Sequence, residues 1–279
     1  MIETSDFEEV TCIQMSREVD GRPVYWVAAY LVDGILVDTG PVHTSGELVS
    51  FLEGRRLSLV VNTHFHEDHI GGNRLIEERL GVPALAQRES ALRMGRVPVL
   101  NPYQEFVWGY PEPATAGSLG DVVETRRFRF EVIPTGGHCP GHVALFVRER
   151  GWCFSGDIFI TERPKVIRAD EDAAGLIASM KLLAGLPSER LVLFTSMGKV
   201  IPEGRVALLS CAGYLQELGF EARALAAAGL SPVEVRERLL GEGSSLDTIT
   251  DGHFSSDNLV ASLLKIPRQD GSGGIRATM

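Results

Sequence analysis

A mostly apolar run of five residues, Leu57-Ser58-Leu59-Val60-Val61, passes without a break into Asn62-Thr63-His64-Phe65-His66-Glu67-Asp68-His69. The run has the length and composition of a fully buried strand. A core strand that ends on three histidines and two carboxylates must therefore place its most polar segment at the edge of the hydrophobic interior. Imidazole and carboxylate are the ligands of zinc-like and iron-like ions. His64 and His66 share one side of the strand end, whereas Asp68 and His69 turn away, so one short loop can serve two neighbouring metals. Gly71-Gly72 then lets the backbone pass close to the site and into a helix.

Around this loop the sequence alternates strands and helices. Val24 to Val32 is rich in β-formers, Asp33-Gly34 signals a tight turn, and Ile35-Leu36-Val37 continues as a strand. Gly46 to Glu53 reads as a short helix, Asn73 to Leu80 as a helix capped by Gly81, and Val82 to Ala86 as a strand. Further strands are expected at Arg127 to Ile133, Val143 to Val147, Trp152 to Phe154 and Leu191 to Phe194, with a helix from Asp170 to Leu186. Such alternation over residues 20–200 implies a layered α/β architecture. After Pro202 the composition turns to Ala, Leu, Glu and Arg at helical spacing, and Ser231-Pro232-Val233-Glu234 is a clear helix start. Leu208, Leu209, Leu215 and Leu218 form a modest apolar stripe of the kind that usually joins a core. The organisation read from this is an α/β domain over residues 1–202, a helical segment over 203–266 packed on it, and a disordered Gly/Ser-rich tail over 267–279. Residues 95–120, interrupted by Pro98, Pro102, Pro111 and Pro113 yet holding Tyr103, Phe106, Trp108 and Tyr110, read either as a lid or as a loop pinned by its aromatics.

Composition narrows the function. Of 279 residues, 27 are Lys or Arg and 37 Asp or Glu, a formal charge of −10 that disfavours a nucleic-acid partner. No apolar run approaches the ~20 residues that span a bilayer, and the N-terminus carries no apolar leader. The expectation is a cytoplasmic protein with a small-molecule substrate and no membrane partner; its oligomeric state is open. Cys12, Cys139, Cys153 and Cys211 are scattered, with no CxxC pair, and read as buried free thiols.

Two further segments hold potential ligands. His138 and His142 lie in Gly136-Gly137-His138-Cys139-Pro140-Gly141-His142, and Asp157 ends Phe154-Ser155-Gly156-Asp157. With Leu36-Val37-Asp38-Thr39-Gly40 and the Thr63 to Gly72 loop, these motifs resemble the metallo-β-lactamase superfamily over residues 25–200, its glyoxalase II-like branch above all. The resemblance implies a four-layer αββα sandwich with metals at one edge between two β-sheets. It also implies a residue assignment. His64, His66 and His138 would hold a first metal; Asp68, His69 and Asp157 a second, with Asp157 bridging. His142 falls outside the ligand set, and Asp38 is read as a hydrogen-bonding residue near the site. One or two zinc ions are expected, with iron as the alternative.

One position departs from the family pattern. Its last ligand is a His before Gly, and here Thr195-Ser196-Met197-Gly198 places Met197 there. A thioether is a soft, weak donor and a poor substitute for imidazole on zinc. Either the second metal is loosely held or absent, or His253 reaches in, or the site is altered. The lead reading is a hydrolase that uses a metal-activated hydroxide on a small ester, thioester or lactone, with Asp68 orienting the water or accepting its proton. Rivals are a mononuclear iron enzyme like the persulfide dioxygenases (His64, His138 and Asp157 as its triad), a phosphodiester hydrolase, and an inactive binding module. Arg223, Arg236, Arg238 and Lys265 are available to grip glutathione carboxylates.

Overall fold

A computed structural model describes residues 1–266; the tail expected at 267–279 lies outside them. Seven strands form the first sheet, in the order β1 (Ile2–Phe7), β2 (Val10–Met15), β5 (Val27–Val32), β6 (Ile35–Val37), β7 (Leu59–Val61), β8 (Ala84–Ala86) and β9 (Ala116–Ser118). A small hairpin of β3 (Glu18–Val19) and β4 (Arg22–Pro23) interrupts the run from β2 to β5. The second sheet has six strands: β10 (Val122–Glu124), β11 (Arg129–Pro134), β12 (Val143–Val147), β13 (Trp152–Phe154), β15 (Val192–Phe194) and β16 (Val200–Ile201). β14 (Ile167–Arg168) pairs with β17 (Phe254–Ser255) outside both sheets.

Strand periodicity sorts the side chains into layers. On β12, Leu145 and Val147 face the space between the sheets, whereas Ala144 and Phe146 face the helices outside. Trp152, Phe154, Val192 and Phe194 meet Tyr30, Val32 and Val37 across the central layer. The outer face of the first sheet takes α1 (Ser45–Leu52) and α3 (Asn73–Leu80) through Leu48, Leu52 and Ile76. That of the second takes α6 (Ala173–Ala184), α7 (Gly204–Ala227) and α10 (Ser256–Leu264). The result is the four-layer αββα sandwich expected. The remaining helices are α2 (Glu67–Ile70), α4 (Arg88–Met94), α5 (Pro102–Val107), α8 (Pro232–Leu240) and α9 (Ser245–Ile249).

Several local expectations need adjustment. The strand expected from Val24 starts at Val27, because Tyr25 leaves the sheet to pack its ring 5.8 Å from Trp108. The β1–β2 hairpin has no counterpart among the expected strands; β1 exposes four of its six residues and carries no apolar alternation. Residues 95–120 are less irregular than their prolines suggest, since Pro102 opens α5 within an Asn101–Gln104 capping box. The Asp33-Gly34 turn, with φ +43 and +87, joins β5 to β6 as expected.

Parallel pairing is what positions the site. β6 and β7 are parallel, joined by the crossover through α1, and β13 and β15 are parallel, joined through α6. Asp38, the His64–His69 loop, Asp157 and Met197 each follow the carboxyl end of one of these four strands. Between them, Gly137 lies so close to α6 that a Cβ would stand 2.1 Å from the Leu176 nitrogen, and its φ is +101. A Gly137→Ala variant is therefore expected to lose about 2–4 kcal/mol in urea unfolding of the metal-free protein. The neighbouring Gly136, with open space around it, should tolerate Ala within about 1 kcal/mol.

Candidate metal centre

Thr63 and the loop after it are gathered by one carboxylate. Asp38, 3% exposed, accepts 2.7 and 2.8 Å hydrogen bonds from the Thr63 backbone nitrogen and hydroxyl. Its Oδ2 also lies 2.8 Å from Nδ1 of His69, so that ring turns Nε2 toward the centre. Asn62 and Asn73 bond each other at 2.8 Å beneath the same loop, and Asn62 donates to the His69 carbonyl at 3.0 Å. Asp38 is thus the hydrogen-bonding residue the sequence suggested.

Three imidazoles converge above. Nε2 of His138 lies 3.2 Å from Nε2 of His64 and 2.9 Å from Nδ1 of His66, and all three rings are buried. Burial and the neighbouring histidines hold His64 well below the usual imidazole pKa; burial and Arg168 do the same for His66. Both shifts favour the uncharged ring of His64 and His66, whose lone pairs are then available to a cation. His138 is aimed by Glu171, whose Oε1 lies 2.6 Å from Nδ1.

Asp157 stands between this trio and His69. Its Oδ2 is 3.4 Å from Nε2 of His138 and its Oδ1 3.2 Å from Nε2 of His69. Yet Oδ1 of Asp157 and Nε2 of His69 are buried and make no well-aligned hydrogen bond, an arrangement suited to a cation rather than to each other. Burial opposes ionisation of Asp157, but His69 and His138 outweigh it and keep its carboxyl well below the usual range. Burial pushes Asp68 up to about 7, against the pull of His69. Asp68 Oδ2 lies 3.7 Å from Nε2 of His69. The ligand atoms of His64, His69 and Asp157 fall within 4.8 Å of one another, and so do those of His64, His66, His138 and Cys139.

Cys139 is the member that sequence reasoning passed over. It reads there as a buried thiol, and nothing but its place beside His138 marks it; burial drives its pKa upward, which keeps it protonated. All four cysteines are buried and free. His142 stays outside both groups: its Nδ1 meets the Thr135 hydroxyl at 2.7 Å, and its Nε2 accepts from the Asp157 backbone nitrogen at 3.1 Å. His253 does not join either group. Its Nδ1 lies 2.5 Å from the Tyr103 hydroxyl, a contact that holds the ring away. Met197 stands at the rim, where its sulfur accepts a 3.2 Å hydrogen bond from Tyr25.

The 95–120 segment is pinned here by its aromatics and a polar contact. Gln104 donates to Glu67 at 2.6 Å, while Trp108 packs on Tyr25 and forms a wall of the adjoining cavity. Two of the basic residues offered for glutathione are engaged elsewhere. Arg223 bonds the Leu263 carbonyl, and Arg236 pairs with Asp257. None of Arg223, Arg236, Arg238 and Lys265 lines the cavity.

The metallo-beta-lactamase superfamily model matches residues 25–195. A hydroxyacylglutathione hydrolase of Erythrobacter litoralis is 32% identical over 105 residues, covering 38% of this chain and 35% of that protein. Another, from Stenotrophomonas maltophilia, is 29% identical over 161 residues, covering 57% and 55%. The chain thus spans roughly a third to a half of the length of these hydroxyacylglutathione hydrolases. A metallo-beta-lactamase family protein of Thermus thermophilus has a similar structure, with TM-score 0.61, 18% identity and coverage of 92% and 91%; at that identity the likeness concerns the fold. No helix among the described residues is long and apolar enough to cross a membrane. With most of the sandwich and every loop of the His/Asp cluster up to Thr195 inside the matched region, the chain belongs to the metallo-beta-lactamase superfamily.

Proposed function

We infer that this chain is a metal-dependent hydrolase of a small ester, thioester or lactone. The observation that carries the reading is the convergence of His64, His66 and His138 beside a half-buried Asp157 that also faces His69. His64, His66 and His138 would hold one ion, and Asp68, His69 and Asp157 a second. A divalent ion held there lowers the pKa of water toward about 7 and polarises a carbonyl.

The remaining work falls to the chain's own residues. Asp38 and Glu171 fix the tautomers of His69 and His138. Asp68, at the polar wall of the adjoining cavity, would orient the water and accept its proton as it adds to the carbonyl carbon. The carbon–oxygen or carbon–sulfur bond then breaks, and the leaving group takes that proton. The curated relatives named above act on hydroxyacylglutathione by their names, which supports a thioester among the substrates. A second reading has one specific support: Met197 leaves the second ion short of a ligand, and a mononuclear iron enzyme with His64, His138 and Asp157 would not need it.

Metal analysis of protein purified without chelator, with a panel of esters, thioesters, lactones and phosphodiesters, decides between them. Bound zinc with ester or thioester cleavage, abolished by chelator and restored by zinc, is expected. A single iron with oxygen uptake and no cleavage would transfer the assignment to the dioxygenase. Asp38→Asn should weaken metal retention about 10–100-fold in chelator competition while the protein stays folded. Met197→His is expected to bind a second equivalent at least about tenfold more tightly than the parent, read by titration against a chromophoric chelator.

A further inference from the structure

A cavity of about 260 Å³ opens beside the centre and runs into the helical side of the molecule. Asp68, His138 and Asp157 form its polar wall, while Ile167, Leu176, Met180 and Leu215 line it as buried apolar side chains. Those four belong to the core between the second sheet and α6 and α7. Protein interiors are close-packed, with few voids larger than a water molecule. A cavity of this size, apolar in its depth and open to a cluster of reactive groups at one wall, is built to receive something. Small-molecule sites have this character: a mostly apolar lining with a few placed polar groups.

We propose that the cavity holds the acyl chain of the substrate, so that this hydrolase acts on carbonyl compounds bearing an apolar, medium-length acyl group. The inference rests on the hydrolase reading and specifies its substrate class. The scissile carbonyl sits at the polar wall and the chain lies over Leu176, Met180 and Leu215. A glutathione-like group finds little here. Of the two cationic residues on the lining, Arg168 is committed to Asp170 at 3.1 Å, which leaves Lys165 at the rim. Trp108, 8% exposed, adds an aromatic side chain to the lining of the same cavity.

The test uses a series of thioesters with one leaving group and acetyl, butyryl, hexanoyl, octanoyl and dodecanoyl chains, on metal-replete full-length protein. Each added methylene is expected to raise kcat/KM about fourfold until the cavity is full. Leu215→Phe, which shortens the cavity, should move the optimum to shorter chains; Met180→Ala should move it to longer ones. Calorimetric titration with sodium octanoate and sodium acetate reads the cavity without catalysis. Octanoate should bind at least about tenfold more tightly than acetate, and Leu215→Phe should erase that difference. A flat chain-length profile, with octanoate no better than acetate, overturns the acyl cavity while leaving the hydrolase reading intact. Octanoate selectivity without cleavage of any ester, thioester or lactone supports the cavity and refutes the hydrolase. If Leu215→Phe fails to fold, Met180→Ala and the octanoate titration of the parent decide alone.

Discussion

At the end of β6 the backbone of Asp38 enters the left-handed region, with φ +61, and turns a carboxylate into the interior. A polar group buried this deeply is costly unless its lone pairs are matched. Here both oxygens are matched by Thr63 and His69, so one residue fixes the start of the histidine loop and the ring that faces Asp157. Removing its hydrogen-bonding capacity would leave the loop's own polar groups unpaired in the core. The loop keeps its shape because the alternative is buried, unsatisfied donors.

The rest of the centre follows from where strands run parallel. Most neighbours in the two sheets are antiparallel, and their turns are short. Four pairs are parallel, and two of them, β6–β7 and β13–β15, have crossovers that free the carboxyl ends of their four strands to carry the loops of the centre. The two sheets place these ends at the same edge of the sandwich, and the β11–β12 turn contributes His138 beside them. Nothing in this arrangement demands long-range flexibility; short segments on rigid strands hold every imidazole.

Legibility in the sequence tracks how far each contact reaches. The histidine loop declares itself because ligands of one type crowd into a few residues, and Gly81 caps its helix within a local pattern. β12 reads correctly because all five of its residues are buried and apolar. Contacts made across the fold leave no such trace. Glu171 aims His138 from 33 residues away, and Tyr25 meets Met197 over a separation of 172. The position of His253 likewise depends on Tyr103, which no local motif connects to it. Cys139 joins the imidazoles only because the turn folds its side chain inward.

The same leucines and methionine that hold α6 and α7 to the second sheet also border the cavity. Ligand selectivity and folding stability therefore share one set of side chains. A substitution that fills the void gains packing and forfeits room for a ligand; one that widens it admits more and weakens the attachment of the helices. Change at these positions moves along a single line between a tighter protein and a more permissive one, with the metal-binding edge left untouched.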